Sequence, residues 1–126
     1  MNLQGFHHVA LWVNDLAAAR AFYVDALGFD VESEQTRPER GDTIWNLRLG
    51  EMRLELFCGA GHPPRANWPE ALGLRHLTFR VQNIDATVQT LAEHGFEAEP
   101  VRTDAYTGER MTFVRDPDGQ PIELHM

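Results

Sequence analysis

The sequence predicts an α+β fold made of two copies of one β-α-β-β-β module, together an open, cup-like, eight-stranded mixed sheet. Three observations predict it. The elements read from hydrophobic periodicity run strand, helix, strand, strand, strand, and then the same order again. Chemically distinctive residues recur at one spacing, since His8 and His76 lie 68 positions apart, as do Glu55 and Glu123. Each half also closes with two strands joined by a tight turn, "LGEM" at 49–52 in the first and "DPDGQ" at 116–120 in the second. Self-similarity at a fixed spacing marks a duplicated unit, and it constrains the fold before any motif is considered.

The elements follow in order. Strand 6–13 alternates from "GFHHVALWV". Segment 14–28 carries Leu16, Ala19, Phe22, Tyr23, Ala26 and Leu27 at helical spacing, with Asn14 or Asp15 as N-cap and Gly28 as the stop. Strands are expected near 29–36, 43–49 and 52–58. The stretch "GAGHPPRANWPEALG" at 59–73 is rich in Pro and Gly and reads as the linker between modules. The second module then gives a strand near 74–81, a helix over 83–95 capped by Asn83 and stopped by Gly95, and strands near 96–102, 110–115 and 120–125. The whole of 1–126 is read as one domain, with module 1 at about 1–58 and module 2 at about 74–126.

Composition narrows the function. A chain of 126 residues with 43% hydrophobic and 24% charged residues has the balance of a globular protein. The net charge is −8, Lys is absent, and the arginines are scattered singly, which argues against a nucleic-acid or anionic-membrane surface. No apolar run approaches the roughly 20 residues of a membrane span. The single cysteine, Cys58, permits no intrachain disulfide, and no signal peptide is visible at "MNLQGFHH", so the cytoplasm is the expected location. Cys58 itself is expected to be a buried, inert thiol.

Alternation along each strand assigns faces. His8, Ala10 and Trp12 share one face, and so do His76, Thr78 and Arg80. In "RLELF" Arg53, Glu55 and Phe57 oppose Leu54 and Leu56, while in "PIELH" Pro121, Glu123 and His125 oppose Ile122 and Leu124. The apolar face of each module should pack under its helix. The other face, with His8, Glu55, His76 and Glu123, should converge if the two sheets curl together. Two carboxylates meeting without a counter-charge are costly to bury, and a divalent cation removes that cost. Mixed N and O ligation suits Ni²⁺, Co²⁺, Zn²⁺, Mn²⁺ or Fe²⁺, one ion per site. Trp12, Phe57 and Arg80 share the candidate face and predict an aromatic, partly cationic pocket for a small-molecule substrate, with Tyr106 and Arg110 of "AYTGER" as candidates for its mouth. His7 falls on the opposite face. His62 and His94 read as surface residues, and His125 as a C-terminal neighbour of Glu123.

"HHVALWV", "AFYVDALGF", "RLELF", "LRHLTF" and "DPDGQPIEL" resemble the vicinal oxygen chelate superfamily, the glyoxalase I-like proteins, over nearly the whole chain. Within it, "RPERGDTIWNLRLG", "WPEALGLRHLTF" and "DAYTGERMTF" look most like small bacterial proteins related to lactoylglutathione lyase. The resemblance implies the glyoxalase/bleomycin resistance/dioxygenase fold and a metal held by His8, Glu55, His76 and Glu123. It implies a glyoxalase-type lyase or isomerase that chelates vicinal oxygens and transfers a proton through an enediolate, with Glu123 as base and Glu55 as ligand or second acid–base group. It also implies a homodimer with sites shared between two chains. Trp12 and Gly59 stand where bacterial glyoxalase I has an Arg and an Asn, which places glutathione recognition in question. Alternatives are an epimerase like methylmalonyl-CoA epimerase (a family that commonly has Gln at the Glu55 position), an Fe(II) extradiol dioxygenase, a fosfomycin-type thiol transferase, and a non-catalytic antibiotic-binding protein. A complete set of four ligands disfavours the last three.

Overall fold

The computed structural model describes residues 1–126. The chain divides into two compact units, Met1–Pro63 and Pro64–Met126. The first contains β1 (Val9–Val13), α1 (Leu16–Ala19) continued by a π-helical segment (Arg20–Ala26), β2 (Asp30–Arg37), β3 (Asp42–Leu49) and β4 (Met52–Gly59). The second contains β5 (Leu77–Arg80), α2 (Ile84–Glu93), β6 (Arg102–Thr103), β7 (Arg110–Arg115) and β8 (Pro121–His125). Each unit forms a four-stranded mixed sheet, ordered β1-β4-β3-β2 in one and β5-β8-β7-β6 in the other. No helix is long and apolar enough to cross a membrane.

The repeat holds at the level of register. β1 runs parallel to β4 with Val9 opposite Leu54 and Trp12 opposite Phe57. β5 runs parallel to β8 with Leu77 opposite Ile122 and Arg80 opposite His125, every partner displaced by the same 68 positions. A shared register is what fixes which side chains face together, because a slip of one residue turns a strand over. The inward leucines and isoleucine of the two central strands, Leu54, Leu56, Ile122 and Leu124, are all at most 3% exposed.

Both helices begin on a capping side chain. Asp15 accepts a hydrogen bond from the Ala17 N–H at 3.0 Å, and Asn83 accepts one from the Ala86 N–H at 3.1 Å. A cap of this kind is worth about 1 kcal/mol. The periodicity predicts an ordinary helix over 14–28, yet only its first turn is α-helical. Thereafter Leu27 N–H donates to the Phe22 carbonyl, five residues back, at 3.0 Å. The wider π-helical turn accompanies two neighbouring aromatic residues, Phe22 and Tyr23, that are both completely buried. Gly28, at φ 88°, ends the segment in the left-handed conformation that glycine adopts most easily.

Three segments differ from the expected spans. The first strands of the units begin at Val9 and Leu77, so His8 and His76 sit immediately before the ladder rather than inside it. The strand expected over 96–102 shrinks to Arg102–Thr103. Pro100 has no N–H to give a ladder, although Glu99 still donates its N–H to the Phe113 carbonyl at 2.8 Å. The latter part of the Pro/Gly-rich stretch is tied into the second unit. Arg65 donates to Asn67 Oδ1, Gln120 Oε1 and the carbonyls of Leu74 and Arg75 at 2.8–3.1 Å. Asn67 Nδ2 donates to the Gly119 carbonyl at 2.8 Å. Gly119 is required there twice over, since its φ is 82° and a Cβ would lie 3.1 Å from that same amide nitrogen.

Candidate metal centre

Each unit builds one imidazole–carboxylate pair in the same way. In the first, Glu55 lies on β4 beside Ala10 of β1 and Asn46 of β3. His8, one residue ahead of β1, turns its Nε2 to within 2.9 Å of Glu55 Oε2. In the second, Glu123 lies on β8 between Thr78 of β5 and Phe113 of β7. His76, one residue ahead of β5, brings its Nε2 to 3.4 Å from Glu123 Oε2. The second pair is the more enclosed, its Glu123 side chain only 12% exposed against 28% for Glu55.

These separations bear on whether a metal fits. Two ligand atoms bonded to one ion at about 2.1 Å lie about 3.0 Å apart at a right angle and about 3.4 Å apart at the tetrahedral angle. The observed 2.9 and 3.4 Å match that range. The donor set, neutral imidazole nitrogen with carboxylate oxygen, suits a borderline divalent ion. Each pair therefore presents two adjacent donors of the right kind and spacing.

The outer nitrogens of the two histidines differ. His8 Nδ1 is 2.8 Å from His7 Nδ1, so one carries the proton and the other accepts it. With the proton on His8 Nδ1, its Nε2 lone pair is free to ligate. His7, placed by alternation on the opposite face, thus has a part in orienting His8. The equivalent position in the second unit is Arg75, and His76 Nδ1 is buried with no hydrogen-bond partner. Phe113 packs edge-on against the His76 ring, centroids 5.1 Å apart at 85°. The Thr78 hydroxyl donates to Glu123 Oε2 at 2.6 Å. Alternation places Thr78 and Glu123 on one face, which signals that contact, whereas it gives no signal for the His7–His8 bond.

The other predicted residues fall in different places. Trp12 is half exposed, stacks on His62 with centroids 3.7 Å apart, and meets Phe57 edge-on at 5.4 Å. His62 thus joins the aromatic group that the sequence assigns to Trp12 and Phe57. The Arg37 guanidinium lies 5.4 Å from the Phe57 centroid and grips Asp42 with two bonds of 2.7 and 2.6 Å, which holds the Asp42 carboxyl below the usual carboxylate range. Arg80 is exposed at the end of β5. Tyr106 is fully exposed in its turn, and Arg110 is committed to Asp85 by two hydrogen bonds of 2.8 Å. Cys58 is half-buried and its thiol donates to the Asn14 carbonyl at 3.6 Å.

His125 lies near Glu123 and Asp104, their ligand-type atoms all within 4.8 Å of one another. Both of its nitrogens are engaged, Nδ1 with the Met126 carbonyl at 2.7 Å and Nε2 with Asp104 Oδ2 at 3.2 Å. The Met126 carbonyl, seconded by Asp104 and opposed by burial, raises the imidazole above its ordinary range. The His125–Asp104 contact ties the end of β8 to the segment before β7, and with Glu123 these residues form a second cluster of ligand-type atoms beside the His76–Glu123 pair.

A family model for the Glyoxalase/Bleomycin resistance protein/Dioxygenase superfamily matches residues 5–124. Protein YwkD of Bacillus subtilis is 48% identical over 126 residues, spanning 99% of this chain and 98% of YwkD. Methylmalonyl-CoA epimerase of Homo sapiens, a mitochondrial protein, is 33% identical over 131 aligned positions, spanning 98% of this chain and 74% of the epimerase. The crystal structure of a glyoxalase family protein from Enterococcus faecalis matches with a TM-score of 0.95 and 47% identity, covering 100% of both chains.

Proposed function

We propose, since the chain belongs to the Glyoxalase/Bleomycin resistance protein/Dioxygenase superfamily, that it is a metal-dependent lyase or isomerase of glyoxalase type. Its substrate is a small molecule with two neighbouring oxygens, and its reaction moves a proton on a carbon beside a carbonyl. The observation that carries this reading is the twice-built pair, Nε2 to Oε2 at 2.9 and 3.4 Å, at positions related by one offset. His8, Glu55, His76 and Glu123 together hold one divalent ion. When bound, that ion supplies the Lewis acidity that stabilises negative charge developing on the substrate oxygens. Glu123 is the base. Thr78 fixes its Oε2 by a 2.6 Å hydrogen bond, which leaves Oε1 to take the proton and return it to the neighbouring carbon.

A second reading, an epimerase acting beside a thioester, is favoured by the 33% identity to methylmalonyl-CoA epimerase across almost the whole chain. It needs a proton removed on one face and returned on the other, and Glu55 is the second carboxylate available. Both readings require transfer of a carbon-bound proton, within the substrate in the first and with solvent deuterium in the second. Protein loaded in turn with Ni²⁺, Co²⁺, Zn²⁺ and Mn²⁺ is incubated in D₂O with the hemithioacetal of methylglyoxal and glutathione, and separately with methylmalonyl-CoA, and followed by proton NMR. Conversion of the first substrate supports the lyase, and loss of the C2 proton signal of the second supports the epimerase. With Trp12 and Gly59 in place of glutathione-binding residues, kcat/KM on the hemithioacetal is expected to fall below about 10⁴ M⁻¹s⁻¹. Absence, with every metal, of both hemithioacetal conversion and C2 proton loss overturns the proton-transfer reading.

The pairs meet across a homodimer, His8 and Glu55 of one copy with His76 and Glu123 of another. This arrangement predicts complementation. His8→Ala and His76→Ala chains each lose metal by at least about tenfold, and refolding them together restores part of it, because mixed dimers contain one intact site. Metal content that stays low in the mixture places both pairs of a site on one chain.

A further inference from the structure

Beside His76 the second unit opens into a cleft of about 290 Å³. Four arginines line it, Arg65, Arg75, Arg102 and Arg115, against two glutamates, Glu70 and Glu99. The chain as a whole carries −8, so this cleft reverses the sign of its surroundings. The four arginines are not equivalent. Arg65 is used up by its four hydrogen bonds within the unit, the carbonyls of Leu74 and Arg75 among them. Arg75 gives its Nε to Glu70 at 2.7 Å. Arg102 makes one long contact, 3.3 Å, from Nη1 to Glu99, and its guanidinium lies 5.6 Å from the centroid of Phe113. Arg115 is exposed at the end of β7 and belongs to none of the unit's ion pairs.

The acids of the cleft are thus each matched by one arginine, while Arg115 is unmatched and Arg102 retains most of its donors. Phe113 connects the two features, since it packs under Arg102 and edge-on against His76, whose buried Nδ1 has no partner. A guanidinium held against an aromatic ring loses little freedom on pairing with a planar or tetrahedral anion. The geometry points to an anion-binding subsite in which Arg102 and Arg115 hold a carboxylate or phosphate group of the substrate beside the His76–Glu123 pair. As a statement about substrate it rests on the function proposed above, and it narrows that substrate to an organic anion. As a binding site it stands on the cleft alone.

The test uses the full chain, both metal-loaded and after chelation, titrated with malonate and separately with inorganic phosphate. Binding is followed by calorimetry and by the arginine Nε–H signals in NMR. Saturable binding is expected in both metal states, with the tighter of the two anions identifying the group. Arg102→Gln and Arg115→Gln are each expected to weaken it at least tenfold, and Arg20→Gln, an exposed arginine of the first unit, to leave it unchanged. Absence of saturable binding by either anion, or equal binding by wild type and both cleft variants, overturns the subsite. Because the chelated protein carries no catalytic metal, the subsite and the proton-transfer reaction fail independently. Anion binding without deuterium exchange leaves the cleft standing, and exchange without anion binding removes it.

Discussion

Replacing Glu123 by Gln is expected to lower the rate of substrate proton transfer, read as turnover, about 1,000-fold at saturating metal, within the 10²–10⁴ that a positioned general base supplies. The substitution keeps the size of the side chain and an oxygen that accepts the Thr78 hydroxyl, whose 2.6 Å bond now orients the carboxylate. What it removes is the capacity to take a proton. Measuring at saturating metal separates that loss from any weakening of ligation, and an unchanged melting temperature excludes unfolding. Glu55→Gln is the informative companion. If Glu55 only holds the ion, turnover at saturating metal persists, whereas if it is a second acid–base group, as the epimerase reading requires, both variants are slow. A Glu123→Gln protein that retains more than a tenth of the wild-type rate takes the base role away from Glu123.

The second large effect is on stability. Leu56 and Leu124 occupy equivalent places on the central strands of the two sheets and are 0% and 1% exposed. Leu→Ala at such a site removes buried methyl groups and leaves a cavity, at a cost of about 2–5 kcal/mol. Each variant is therefore expected to melt about 10 °C lower than wild type. The next residue back in each case is a candidate ligand, Glu55 or Glu123, so part of the loss appears also as weaker metal retention. A change below about 1 kcal/mol at either position shows that its strand tolerates repacking, contrary to its complete burial.

The duplicated architecture was legible because its evidence is long-range and redundant. The offset between His8 and His76 recurs between Glu55 and Glu123, and the parallel registers of β1 with β4 and of β5 with β8 reproduce it residue by residue. Alternation placed Leu54, Leu56, Ile122 and Leu124 in the cores and Glu55 and Glu123 on the opposite faces, since period two in a strand admits no other assignment. The parts that were not legible depend on geometry off the ladder. His8 and His76 precede their strands, where alternation no longer governs, and so the contact of His7 with His8 had no pattern to announce it. The π-helical turn retains an apolar stripe much like that of an α-helix, so the burial of Phe22 and Tyr23 was foreseen and its backbone was not. Arg102 and Arg115 come together with His76 around one cleft because β6 and β7 bring them to it from positions far along the chain. Tyr106 and Arg110 looked comparable in sequence, but the side chain of Arg110 turns to the helix that carries Asp85.

In each unit the first strand pairs with the last. Val9 lies opposite Leu54 and Leu77 opposite Ile122, both 45 residues further along the chain. β1 and β5 consequently have no strand to join until the rest of their unit has been synthesised, while the β3–β4 and β7–β8 hairpins can form as soon as their turns emerge. Contacts between distant residues slow folding because the intervening loop must close before they stabilise anything. The imidazole and the carboxylate of each pair are brought together only by that last closure. A nascent or partly unfolded chain therefore carries hairpins without either imidazole–carboxylate pair, and each pair exists only once its unit is complete.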